Sequence, residues 1–323
     1  MFFCAHVSDR ISQSINSNRV TVFDGGARGR TEKRRNIGIT ADVKEANRAK
    51  AILIPIGADT GNLGYVGPIF KEGSFEYLPM KEERPSDGNP KYMDLRAKHS
   101  KTKLSSFVVP KDRQVQVHYD PKFLKQLLTY GENDVDSEGR LWNVQAGDLI
   151  LFWASLSPYK ASAYRNKSTL QSYQSSNTEK YIIGFFTVKG IRHVLVGRKG
   201  QIHFDKRKNK QVGKVDRSAV KDNQHYSEAR AKNKGEFVVV QGDPDRSALL
   251  EKAVKLTDGK IVTSGGKKRQ GWAYKLNETG RKALRGRRYT QGVRVIYENG
   301  KKALVRMICR ENPMLKSKLR QHL

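Results

Sequence analysis

The chain has 323 residues, 37% of them hydrophobic, and a formal net charge of +30, which is length enough for two domains or for one large domain with appendages. No apolar run approaches the roughly 20 residues that a membrane-spanning helix needs, and the opening Met1-Phe2-Phe3-Cys4-Ala5-His6 lacks the basic and apolar regions of a secretory leader, so a cytoplasmic protein without a membrane partner is expected. Cys4 and Cys309 have no ligand-like spacing and make neither a zinc motif nor a disulfide framework.

Residues 1–48 are polar and charged, with Gly25-Gly26-Ala27-Arg28-Gly29-Arg30 in the middle, and read as a flexible basic arm. Ala51-Ile52-Leu53-Ile54-Pro55-Ile56 reads as a buried strand whose proline belongs at its end or at a sheet edge. It runs into a glycine-rich loop over residues 57–68, and the alternation of Phe75 and Tyr77 then suggests another strand. Residues 115–119 alternate like a strand. Asp120-Pro121 has the form of an N-cap and first helical position, predicting a helix through Phe123, Leu124, Leu127 and Leu128.

The strongest strand signals are residues 148–156 and 181–188, separated by a polar excursion rich in Ser, Tyr and Asn. Irregular connections of that length are often functional. Residues 198–234 form a basic connector, and Phe237-Val238-Val239-Val240 is a further strand. Asp243-Pro244-Asp245 repeats the cap-plus-proline pattern and predicts a helix over residues 245–255. A strand over 271–276, a helix over 277–285 and a hairpin turning on Asn299-Gly300 complete the expected order.

The charge is uneven. Residues 186–235 hold 14 Lys/Arg against 4 acids, and residues 260–323 hold 18 against 3. Concentrated Lys/Arg neutralises phosphates and releases their counterions, so the leading partner is nucleic acid. A solvated basic face, or adhesion to ribosomes or membranes, is the alternative. Lys267, Lys268, Arg269, Arg285, Arg287 and Arg288 are the candidate phosphate contacts.

Candidate chemistry lies in two places. Gly57, Asp59, Thr60, Asn62 and Tyr65 sit on the glycine loop, where the backbone can approach a nucleotide closely; a turn with Asp59 and Asn62 closing Asx-turns is the plainer explanation. The loop is neither a Walker A motif nor GxGxxG. His118 and Asp120 pair an imidazole with a carboxylate and, with Asp59, are the candidate catalytic groups, against the simpler reading of Asp120 as a helix cap. His193, His203 and His225 have no partner at a convincing spacing, so no metal site is assigned. Trp153 and Tyr181 are candidate base-binding aromatics, and Trp153 should lie on the opposite face of its strand from Phe152. No GxSxG, HExxH or CxxC occurs.

The run from Ile52 through Asn62, with Gly67-Pro68-Ile69-Phe70 and Gly73-Ser74-Phe75-Glu76-Tyr77-Leu78-Pro79, resembles the opening of the nucleotide-modification-associated domain family, third type. Asp120-Pro121-Lys122-Phe123, Thr129-Tyr130-Gly131-Glu132, Gly147-Asp148-Leu149-Ile150-Leu151-Phe152, Tyr181-Ile182-Ile183-Gly184-Phe185-Phe186 and the stretch from Val240 to Leu250 are similar in order, so the resemblance covers about residues 50–260. It implies an association with modified bases in DNA, so that DNA is favoured over RNA as the partner, and brings no established catalytic residues. The strands at 147–156 and 181–188 are also similar to pairs in PUA-like barrels, a likeness of fold alone.

The expected architecture is α+β. A mixed or barrel-like sheet domain with flanking helices spans residues 50–245, preceded by the arm at 1–48. A small basic α/β module, with a winged-helix-like strand-to-helix step, follows at 246–323. The expected function is nucleic-acid binding linked to recognition or processing of modified DNA bases. An enzyme acting on a nucleotide or nucleobase is the second possibility, and an RNA- or ribosome-associated accessory protein the third. The sequence names no cofactor and no oligomeric state.

Overall fold

The computed structural model describes residues 51–56, 65–82, 89–124, 127–132, 141, 144–204, 212–265, 269–284, 288–289, 294–296 and 298–323. Its centre is a mixed, strongly curled half-barrel sheet of eleven strands. The path through it runs β16 (Arg294–Ile296), β1 (Ala51–Pro55), β7 (Leu149–Pro158), β8 (Glu179–Val196), β11 (Gly235–Gly242), β6 (Leu127–Glu132) and β5 (Lys122–Leu124). The short strands β2 (Gly67–Ile69), β9 (Ile202–Phe204), β10 (Val212–Gly213) and β12 (Ala248–Lys255) attach beside it. β1 and β2 run parallel to β7, and the other pairings are antiparallel.

The sheet forms where the sequence is continuously apolar. β1, β7 and β8 bury side chains on both faces, as strands covered on both sides must. Pro55 closes β1 opposite Trp153, at the strand end where its missing N–H costs least. Two smaller sheets complete the fold: β3 (Met80–Lys81) with β4 (Val117–His118), and β13 (Thr257–Gly265) with β14 (Arg269–Leu276) and β15 (Arg288–Tyr289). Six α-helices occur among the described residues: α1 (Lys167–Asn177), α2 (Arg217–Asp222), α3 (Gln224–Ala231), α4 (Glu278–Leu284), α5 (Glu298–Glu311) and α6 (Lys316–Leu319). No helix among the described residues is long and apolar enough to cross a membrane.

Three segments take a different structure from the one their local pattern suggests. No helix follows Asp120-Pro121; β5 and β6 form a hairpin there, because β6 finds a ladder partner in β11 and buries Leu128 and Tyr130. Residues 248–255 are strand β12 rather than a helix, since the first half of β8 offers an open edge to pair with. Asn299-Gly300 opens α5 instead of a hairpin. Leu304, Val305 and Ile308 fall on one helical face and pack into the main core.

The polar excursion between β7 and β8 also has structure of its own. It holds a short 3-10 turn and α1, whose N-cap Asn166 accepts a hydrogen bond from the Thr169 N–H at 2.9 Å. Phe75 is buried but forms only a single bridge with Ile69.

The expected boundary after residue 245 coincides with no break in the sheet or core. β12 pairs with β8, β16 pairs with β1, and α5 packs in the same cluster as β1 and β7. The strand-to-helix step from β14 to α4 is present, with Asn277 accepting from the Gly280 N–H at 2.8 Å. The arm at 1–48 lies outside the described residues.

Two consequences are measurable. A Cβ at Gly300 would lie 2.3 Å from the Ala283 carbonyl oxygen, where α5 crosses α4. Gly300→Ala should therefore destabilise by about 1–3 kcal/mol in denaturant unfolding, although alanine in a free helix would be about 1 kcal/mol better. The second concerns His322, buried with Nε2 3.0 Å from Thr187 Oγ1. Burial, with Lys301 and Arg246 nearby, pushes its pKa down to about 4 from an ordinary 6.5. The unfolded chain therefore binds the proton first, and this contribution to stability is complete above pH 6.5 and fades as the pH falls toward 4. Thermal melts across that range should show a steeper acid loss for wild type than for His322→Gln, and parallel curves would show that the imidazole does not resist protonation.

Candidate functional site

The β3–β4 ladder pairs Met80 with His118, which sets His118 beside Glu82 just past the end of β3. Two residues later the chain enters the β5–β6 hairpin through Asp120 and a cis peptide bond to Pro121. On the other side, α2 and α3 cover the β6–β11 face, and α3 carries His225 and Glu228 toward His118. Three separate elements thus deliver two imidazoles and three carboxylates to one place.

The geometry is tight. His118 Nδ1 lies 3.2 Å from Glu82 Oε2 and 3.1 Å from Glu228 Oε1. The His118 and His225 rings meet edge-on with centroids 4.8 Å apart. His225 Nε2 is 3.6 Å from Asp120 Oδ2 and its Nδ1 is 3.9 Å from Glu228 Oε2, both longer than hydrogen bonds. Asp120 is 6% exposed. Its Oδ2 accepts from the Gly131 N–H at 2.7 Å and its Oδ1 from Asn223 Nδ2 at 3.4 Å, and its carbonyl accepts from the Tyr77 hydroxyl at 2.8 Å. Asn223 is also the N-cap of α3, taking the His225 N–H on Oδ1 at 3.0 Å. One side chain therefore fixes both the helix start and the carboxylate. At the rim, the Tyr130 hydroxyl donates to Glu132 Oε2 at 2.8 Å.

Burial and mutual contact drive the protonation states apart. Burial pushes the Asp120 carboxyl up to about 7, against the pull of His118 and the Gly131 N–H. Burial would lower His118, but hydrogen bonds to Glu228 and Glu82 outweigh it and raise the imidazole to about 10. His225 goes the other way, to about 4, through burial and the neighbouring charge of His118. The same site thus holds one cationic and one neutral imidazole.

Of the expected catalytic residues, His118 and Asp120 come together here, while Asp59 lies outside the described residues. His225, more than a hundred residues further along the chain, brings its imidazole to 4.8 Å from that of His118. Glu82 stands at no recognisable spacing from a histidine, whereas Glu228 follows His225 at i,i+3 on α3, a spacing that could have linked those two. The expected N-cap role of Asp120 is replaced by bonds to β6 and α3. His193 is buried in β8, and His203 is exposed on β9.

Of the expected nucleotide-binding set, Tyr65, Trp153 and Tyr181 are among the described residues. Gly57, Thr60 and Asn62 lie outside the described residues. Trp153 is 3% exposed, as buried as Phe152 on the opposite face, because β7 is covered on both sides. The buried Lys180 ammonium sits 4.9 Å from its ring and 4.5 Å from that of Tyr274. Tyr181 is buried, and so is Tyr65, whose hydroxyl donates to Asp112. These rings therefore offer no surface on which a base could stack. Among the described residues, Tyr159 is an exposed aromatic, 43% accessible, packed against Phe70, Phe107 and Tyr164. Of the candidate phosphate contacts, Arg269 lies on β14 and Arg288 on β15, in one three-stranded sheet. Lys267, Lys268, Arg285 and Arg287 lie outside the described residues.

The profile of nucleotide modification associated domain 3 matches residues 50–294. The chain belongs to that family, and the match takes in the whole β1–β14 framework and every residue of the His118 cluster. No curated protein and no solved structure matches the chain.

Gly131 lets this cluster close. A Cβ there would lie 2.3 Å from His225 Cδ2 and 2.5 Å from Asn223 Oδ1. Gly131→Ala should cost about 1–3 kcal/mol, and part of that loss should return when His225→Ala is added. The coupling is read from a double-mutant cycle in denaturant; additive losses would mean the alanine acts elsewhere.

Proposed function

We propose that the protein is an enzyme acting on a nucleotide or nucleobase carried in nucleic acid, with DNA favoured, and that His118, Asp120 and His225 form its reactive centre. The observation that carries this reading is the convergence of two imidazoles and three carboxylates, largely buried, from three separate elements. Burying ionisable groups costs several kcal/mol each unless they are paired, and a purely structural core has cheaper ways to fill such a space. Groups of this kind, poised in different charge states at contact distance, are what proton transfer and water activation require. An aromatic reading pocket is the weaker explanation, since Trp153, Tyr181 and Tyr65 are interior.

Membership of the family supports a nucleotide as the object of the chemistry, and the net charge of +30 supports a polyanionic carrier. Tyr159, beside the exposed Lys160 and close in sequence to Arg165, offers the accessible ring for stacking an unpaired base.

The test is to incubate the protein with duplex DNA, single-stranded DNA and RNA, each with and without modified bases, and with free nucleotides. The products are then digested and analysed as nucleosides by mass spectrometry. A mass change that wild type produces and a folded Asp120→Asn variant does not is the expected result. Salt-steep binding with no chemical change in any substrate would make the protein a reader instead. Tyr159→Ala should weaken single-strand binding by about 1–3 kcal/mol, measured at a temperature where the variant is still folded; undiminished binding would remove Tyr159 from the interface.

A further inference from the structure

The ligand-type atoms of His118, Asp120 and His225 all lie within 4.8 Å of one another. Glu82, His118 and Glu228 form a second such group that shares His118. The two groups differ in one respect. In the second, the contacts are already hydrogen bonds or close ion pairs, 3.1 and 3.2 Å from a single ring nitrogen. In the first, His225 Nε2 faces Asp120 Oδ2 across 3.6 Å, too far to bond and too near to be indifferent. Its Nδ1 has no hydrogen-bond partner although the side chain is only 10% exposed. A buried nitrogen left without a partner costs about 1–3 kcal/mol, a cost that Glu228, 3.9 Å away, would remove by closing on it.

Donors at metal-bond lengths of 2.0–2.2 Å around a common ion stand roughly 3–3.5 Å apart; the His225–Asp120 pair at 3.6 Å is close to that, and the whole set, within 4.8 Å, needs only a small contraction. Two imidazoles and a carboxylate are the donor set that first-row transition dications favour over calcium or magnesium. The remaining carboxylates fit as its surround: Glu82 and Glu228 meet Nδ1 of His118, which leaves the other ring nitrogen to serve as a ligand. The charge balance agrees. Asp120 and Glu228 have imidazoles as their ion-pair partners among the described residues, and Lys122 pairs with Asp222 instead.

We infer that His118, Asp120 and His225 bind one divalent first-row transition metal ion, with Glu82 and Glu228 orienting the histidines around it. This rests on the reading of the cluster as a functional centre and names what that centre holds. Such an ion would supply Lewis acidity and lower the pKa of a bound water toward neutrality.

The experiment uses the full chain without a histidine tag. Metal content is measured after purification, the protein is stripped with a chelator, and Co2+ is titrated in while visible absorption is followed. Zn2+ is added separately while the melting temperature is recorded. About one equivalent of Co2+ should bind, Zn2+ should raise the melting temperature reversibly on chelation, and His225→Gln and Asp120→Asn should each weaken Co2+ binding at least tenfold. His203→Gln, at an exposed site, should change nothing. Absence of Co2+ binding and of a Zn2+ melting shift in folded wild-type protein would overturn the proposal, as would equal binding by His118→Gln/His225→Gln. The wild-type titration decides the question even where a variant does not fold. Metal binding without turnover of any nucleic-acid substrate retains the site and rejects the enzymatic reading. Turnover by the stripped protein together with no Co2+ binding does the reverse.

Discussion

β8 is the element on which the rest of the molecule depends. Its 18 residues reach about 60 Å, and none of them is exposed. Its first half pairs with β7 and β12, and its second half with β11, β9 and β10. Every buried backbone N–H and C=O must find a partner, so a strand this deeply covered fixes the position of each neighbour. The curl of the sheet follows, because one long strand serves two different sets of partners along its length.

The polar cluster hangs from that frame by a short chain of contacts. β11 pairs with the second half of β8, β6 pairs with β11, and α3 lies on β11 with His225 near Phe237. The Gly131 N–H on β6 then holds Asp120, and Asn223 joins that carboxylate to the start of α3. The rigidity of the sheet is what keeps charged groups together at distances they would otherwise relax away from. Functional groups on the rim of a deeply packed scaffold gain their precision in this way.

Much of the frame was legible in the sequence because its signal is local. The continuous apolar runs at Ile52, Ile150, Ile182 and Val238 can only be buried strands in a chain of this composition, and they are β1, β7, β8 and β11. The resemblance to the nucleotide modification family rested on these same strands and proved sound. The errors fall where two structures fit one pattern. Residues 245–255 and 123–128 carry apolar spacings compatible with helix or strand, and the free edges of β8 and β11 decided for strand. Asn299-Gly300 has hairpin chemistry, but the apolar face of Leu304, Val305 and Ile308 had a core to enter, and burial outweighed turn preference. Of the site, His118 and Asp120 were visible because they are neighbours in sequence. His225 and Glu228 share the i,i+3 spacing of a helix face, but nothing near them, or near Glu82, ties them to His118.

By itself the sequence determined that this is a strongly basic α+β protein built on a few long, doubly buried strands, because composition and apolar continuity are properties of the chain. Only the tertiary structure decided that Trp153 and Tyr181 are interior, that the chain beyond residue 245 shares the main sheet and core, and that His118 meets His225. The physical reason is the same in each case. Burial and convergence depend on which surfaces the β8 frame brings together, and a linear pattern records what each segment could pack against without saying which partner it meets.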